Sequence, residues 1–116
     1  SSYKDKDAAM LAQLEKEAPE ALAIAQSIRK AHPNLGSRPL KAVQLVADDS
    51  ILPAKKAGQY RVMSQQGTGE YYIVRLNGAF TCECYDALYR APTWRGSRMC
   101  KHILAVGIYR QLQARS

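Results

Sequence analysis

Cys82-Glu83-Cys84 and Cys100-Lys101-His102 are the two short runs on which the reading of this chain turns, with fifteen residues between them. Together they hold all three cysteines and one of the two histidines. Three thiolates and one imidazole make a closed tetrahedral shell for zinc, with no position left for a reacting water. One structural Zn2+ held by Cys82, Cys84, Cys100 and His102 is therefore expected. Residues two apart on an extended strand share a face, so Cys82 and Cys84 can meet one ion given a local bend. On a helix, residues two apart lie about 200° apart around the axis, so Cys100 and His102 cannot both be mid-helical. They fit if Cys100 precedes a helix and His102 lies in its first turn. The following residues supply that helix, with Leu104, Ile108 and Leu112 recurring every fourth position.

Other uses of the cysteines fit less well. Buried thiols can serve as small hydrophobes, but that does not explain two matched ligand pairs. A disulfide from Cys82 to Cys84 would close a strained small ring and leave an odd cysteine. A redox dithiol wants C-x-x-C, which is absent. His32, before Pro33 and far from any cysteine, reads as a solvent-facing residue at a helix end.

A strand bearing Cys82-Glu83-Cys84, followed by Cys100-Lys101-His102-Ile103-Leu104-Ala105-Val106 opening a helix, resembles the SWIM-type zinc finger. The resemblance covers roughly residues 60–112 and, more loosely, 38–59. It does not extend to residues 1–37. It implies a non-enzymatic finger that binds DNA or proteins, of the kind found in chromatin-remodelling helicases, MuDR-type transposases and small bacterial, archaeal and phage proteins. One departure is visible: many members carry Pro or Asp after the second cysteine, whereas Tyr85-Asp86 follows here, with a long loop before Cys100.

Charge is distributed unevenly. Of the +7 net charge, none comes from residues 1–50, where seven Lys/Arg face seven Asp/Glu; residues 51–116 carry ten against three. A basic, metal-tied half beside a neutral helical half is a plausible nucleic-acid footprint. A chain of 116 residues buries about two-thirds of its unfolded surface, and a structural metal is a common supplement to so small a core. The polar start, Ser1-Ser2-Tyr3-Lys4-Asp5-Lys6, lacks the apolar core of a secretory leader, and Ser1 in place of Met leads one to expect residues upstream. The longest apolar run, residues 21–25, is far too short for a bilayer. Free thiols reserved for metal suit a reducing, cytoplasmic setting.

In chain order, residues 5–31 read as helical, with an apolar stripe of Leu11, Leu14, Ala18, Ala21, Leu22, Ala25 and Ile28. Pro19 divides the stretch into two helices with a short join. Such a stripe covers its own domain or becomes a surface for a protein partner or a second copy. Pro33-Asn34-Leu35-Gly36 stops the helix, and Ser37 is placed to cap a short one with Pro39 in its first turn. Residues 51–58 read as a loop. Tyr60–Ser64 is a strand, Gln66-Gly67-Thr68-Gly69 a turn, and Tyr71–Leu76 a returning strand. Asn77-Gly78 predicts a two-residue hairpin pairing Leu76 with Ala79, Val74 with Thr81 and Tyr72 with Glu83. Cys82 and Cys84 then share a face with Phe80, opposite Ile73 and Tyr71.

The expected fold is α+β: a helical N-terminal arm (1–36), then a zinc-finger domain (37–116) with a short helix, a three-stranded antiparallel meander and a C-terminal helix. The segment between the ligand pairs interleaves Tyr85, Tyr89 and Trp94 with Arg90, Arg95 and Arg98, and Lys101 follows. Arginine pairs with phosphate bidentately, and aromatic rings stack on unpaired bases. Alternatively Leu88, Tyr89 and Trp94 form a satellite core that tucks the loop in. Of Tyr71 and Tyr72, one faces the core and the other is left for a ligand or for solvent. The nucleic-acid set is Lys55, Lys56, Arg90, Trp94, Arg95, Arg98 and Lys101. The expected function is nucleic-acid binding, DNA favoured, without catalysis, membrane or small-molecule substrate; the alternative is an adaptor docking through the N-terminal helices. No Ser/His/Asp set, phosphate-cradling glycine loop or paired carboxylate suggests an enzyme.

Overall fold

The computed structural model describes residues 2–64 and 67–116. Helix α1 runs Ser2–Glu17 and α2 Pro19–Ala31, so the join falls at Ala18, as the proline predicts. Pro19 occupies the first turn of α2, where its missing N–H costs nothing. A 3-10 turn at Pro33–Leu35 ends the pair, and α3 follows at Arg38–Ala47. Ser37 precedes α3 as expected, but its side chain makes no cap; the turn is closed by Lys41 N–H donating to the Ser37 carbonyl.

The strands are β1 (Ile51–Pro53), β2 (Gln59–Met63), β3 (Tyr71–Asn77) and β4 (Ala79–Cys82), in one antiparallel sheet of order β1-β2-β3-β4. The meander expected from the sequence is β2 to β4. The addition is β1, from a segment read as a loop. Ile51 is buried opposite Val62, and Pro53, which cannot donate to a ladder, is tolerated because β1 is an edge strand. The turn anticipated at Gln66–Gly69 lies partly outside the described residues, since Gln66 is not among them.

The β3–β4 register corrects the expected one by a single residue. Leu76 pairs with Phe80 and Val74 with Cys82, with Gly78 at the tip (φ 77°) between the partners Asn77 and Ala79. The reason lies one strand away. β2 pairs Tyr60 with Val74 and Val62 with Tyr72, which puts those four on one face. Had Cys82 lain opposite Ile73, its thiol would have joined the outer face with Arg61. A one-residue slip exchanges the two faces of a strand, and burial of Val74 and Val62 selects the observed one.

Helix α4 (Lys101–Arg115) packs on the inner face, touching all four strands, and its other side meets α2 and α3. One hydrophobic cluster runs from Leu14, Leu22 and Ala25 through Leu40, Val43 and Leu45 to Val62, Val74, Leu104 and Ile108. The apolar stripe of α1 and α2 is thus covered within the chain. No helix of the described residues is long and apolar enough to cross a membrane.

Candidate metal centre

Cys82 is the last residue of β4, and Cys84 lies just past it in a bend, so the second thiol reaches the site by leaving the strand. Cys100 immediately precedes α4 in extended backbone, and His102 sits in the first helical turn. One candidate ligand atom from each of the four residues lies within 4.8 Å of the others, and Cys82 Sγ is 3.9 Å from His102 Nδ1. Around a zinc ion with metal–ligand bonds of 2.0–2.3 Å, tetrahedral geometry separates neighbouring ligand atoms by about 3.5–3.8 Å. The four donors fit such an ion after a small contraction.

All four side chains are buried, from 0% exposure at Cys100 to 7% at Cys82. Three thiols sharing so small a volume without a cation cannot all ionise. Contacts from Cys100 and then Cys82 hold the Cys84 thiol far below its ordinary range. Cys100 is pushed up by Cys82, Cys84 and burial. For Cys82 the contact with Cys100 favours the thiolate, but the contact with Cys84 and burial outweigh it and push the thiol up to about 11. Hydrogen bonds shared among the three sulfurs favour one thiolate at Cys84, burial adds to the upward push on Cys82 and Cys100, and a bound cation would favour the thiolate at all three.

The surroundings hold the ligands in place. The Ala87 N–H donates to Cys84 Sγ at 3.3 Å, and Leu88 N–H to the Cys84 carbonyl at 3.0 Å. These bonds begin a π-helical turn, Asp86–Arg90, which wraps the chain past the second thiol. The ring of Tyr72 lies 4.8 Å from that of His102, a contact the predicted register would not have allowed. The segment, a loop by its sequence, then forms a small ribbon, β5 (Thr93–Trp94) with β6 (Ser97–Arg98).

The expected nucleic-acid residues are divided among several surfaces. Lys55 and Lys56 are exposed in the β1–β2 turn, at the end of the sheet where Leu76 N–H bonds to Gly58, away from the thiol end of β4. Arg90 and Lys101 line one cleft together with Ser37, Arg38, Lys41 and Asp86. Arg98 lines a different cleft with Arg75, and also donates to the Ala91 carbonyl at 3.2 Å. Arg95, with a left-handed φ of 55°, lays its guanidinium 4.7 Å over the ring of Trp94. Trp94 is half-buried against the imidazole of His32 at 4.2 Å, so His32 is a packing residue rather than a solvated helix end. Leu88 and Tyr89 stand exposed, which removes them from the satellite core. Tyr71 is the outward tyrosine, under Arg61. Arg38 and Lys41 share the cleft of Arg90 and Lys101 although they belong to the stretch whose charges cancel.

No protein-family model, no curated protein and no solved structure matches the chain. What the geometry itself defines is a mixed α/β chain with a buried cysteine–histidine cluster able to hold a metal ion, zinc being the ion that such a donor set suits.

Proposed function

We propose that this chain is a non-enzymatic module of the SWIM type that binds nucleic acid, DNA favoured. Cys82, Cys84, Cys100 and His102 would hold one zinc ion, whose chemistry there is that of a cross-link between β4 and α4. The observation that carries the reading is the surface around that cluster: Arg90, Arg95 and Arg98 are exposed on the segment between the ligand pairs, and Lys101 lies inside the second pair. Glu83 and Asp86 are the only carboxylates between Cys82 and His102. Tying this segment at both ends orders its cations at little cost in chain entropy on binding. The resemblance of the motif to fingers of transposition, recombination and transcriptional proteins in prokaryotes, mobile elements and phages supports the same reading.

A gel-shift series over increasing salt tests it. Binding that weakens steeply with salt follows from counterion release at each neutralised phosphate, and Arg90→Gln with Arg95→Gln should weaken it further at unchanged metal content. Salt-insensitive binding of a protein partner, with no oligonucleotide shift, favours the adaptor reading. The apolar surface for that reading is the exposed group Tyr85, Leu88 and Tyr89, because the stripe of the N-terminal helices is buried or half-buried against the core.

A further inference from the structure

We propose that the cleft between the start of α3 and the start of α4 is a binding site for a phosphate group. The cleft, about 350 Å³, is lined by Ser37, Arg38, Lys41, Asp86, Arg90 and Lys101. Four cations thus face one carboxylate. That carboxylate is already engaged, because both its oxygens accept from Arg38, from Nε and Nη2, at 2.8 Å each. Its single negative charge leaves the cluster of four cations net positive.

Lys41 and Arg90 are exposed, and neither side chain has a hydrogen-bond or ion-pair partner among the described residues. Ser37 adds a hydroxyl that caps no helix. Like charges gathered in one concavity raise each other's energy and concentrate anions. A phosphate group meets them with several acceptor oxygens and up to two negative charges. The site is assembled from both parts of the chain. Arg38 and Lys41 come from α3, whereas Arg90 ends the turn that starts on Cys84 and Lys101 stands between two metal ligands. The cluster that would hold zinc therefore positions two of the four cations. Identifying the phosphate's carrier as a polynucleotide rests on the function proposed above; the site itself does not.

The test is a titration of the zinc-loaded full chain with inorganic phosphate, followed by 1H–15N spectra at ionic strength held constant with chloride. Saturable shifts are expected at Ser37, Lys41, Arg90 and Lys101. The double substitution Lys41→Gln with Arg90→Gln should weaken them roughly tenfold or more, as removal of charge-assisted contacts does. Arg110→Gln with Arg115→Gln, toward the far end of α4 from Lys101, should leave them unchanged. An oligonucleotide arm separates the sources. Loss of oligonucleotide affinity in the Lys41/Arg90 variant assigns the phosphate to a nucleic-acid backbone. Phosphate binding with oligonucleotide affinity intact assigns a free phosphate or phosphorylated metabolite, and the site stands. Shifts that do not saturate, or that survive the Lys41/Arg90 substitutions, overturn the site even if oligonucleotides still bind elsewhere.

Discussion

Arg38 grips Asp86 with two parallel hydrogen bonds of 2.8 Å, joining the first residue of α3 to the turn that follows Cys84, 48 positions later. The remaining Nη1 donates to the Leu35 carbonyl at 3.2 Å. The pair is partly buried, with side chains 25% and 32% exposed, so its fork geometry counts for more than that of a surface ion pair. Asp86→Asn is expected to lower unfolding stability by about 1–3 kcal/mol, seen as an earlier urea midpoint. Arg38→Lys should not preserve stability, because an ammonium cannot reproduce the fork. Unchanged midpoints in both variants would show that the clamp is not needed.

Trp94 is the sole tryptophan, and its ring rests 4.2 Å from His32. Its emission therefore reports how the segment between the two ligand pairs sits on the end of α2. His32→Ala should shift the emission to the red and cost about 0.5–1.5 kcal/mol. Chelation of the zinc-loaded chain should give a larger red shift, since the ribbon then loses both anchors. Equal spectra with and without chelator would contradict the link between the cluster and the ribbon.

Two glycines separate backbone conformation from close approach. Gly58 and Gly78 share a φ of 77°, but a Cβ on Gly78 meets nothing within 4 Å, whereas one on Gly58 comes to 3.0 Å from the Leu76 carbonyl oxygen. Gly78→Ala should cost about 1–2 kcal/mol, the price of a left-handed alanine. Gly58→Ala should cost at least about 1 kcal/mol more, because neither strand can back away without breaking the Leu76 to Gly58 bond. Denaturation midpoints in that order check the register of the sheet.

Metal affinity should rise steeply with pH. In the metal-free cluster the Cys84 thiol is held low, while Cys82 is pushed up to about 11 and Cys100 is also raised. At neutral pH, Cys82 and Cys100 are therefore protonated and must each release a proton as the ion binds. Falling pH opposes that release, so affinity should drop about a hundredfold per pH unit, for about two protons. Competition with a chromogenic chelator from mildly acidic to mildly alkaline pH measures the slope. A flat profile would mean that the thiols are already ionised, or are not ligands.

Much of this arrangement was legible in local patterns. Pro19 marked the break between two helices, Leu104 and Ile108 marked the last helix, and the C-x-C and C-x-H spacings identified four residues that the fold brings together. The remainder depends on partners distant in sequence. Pro53 disguised an edge strand that exists because Val62 offers it a place. The hairpin register followed the pairing of β2 with β3 rather than the turn dipeptide. Arg38 and Lys41 counted as charges of a neutral half until the fold set them beside Arg90 and Lys101.

The most direct measurement of the central claim is a cobalt titration of the reduced, metal-free full chain, followed in the visible spectrum. Three thiolates and an imidazole around one ion should give the intense bands of tetrahedral cobalt–thiolate coordination. They should reach their end point at one ion per chain, disappear on adding one equivalent of zinc, and be weakened in Cys100→Ser. Absence of those bands, an end point other than one, or an unchanged spectrum in Cys100→Ser would contradict the account.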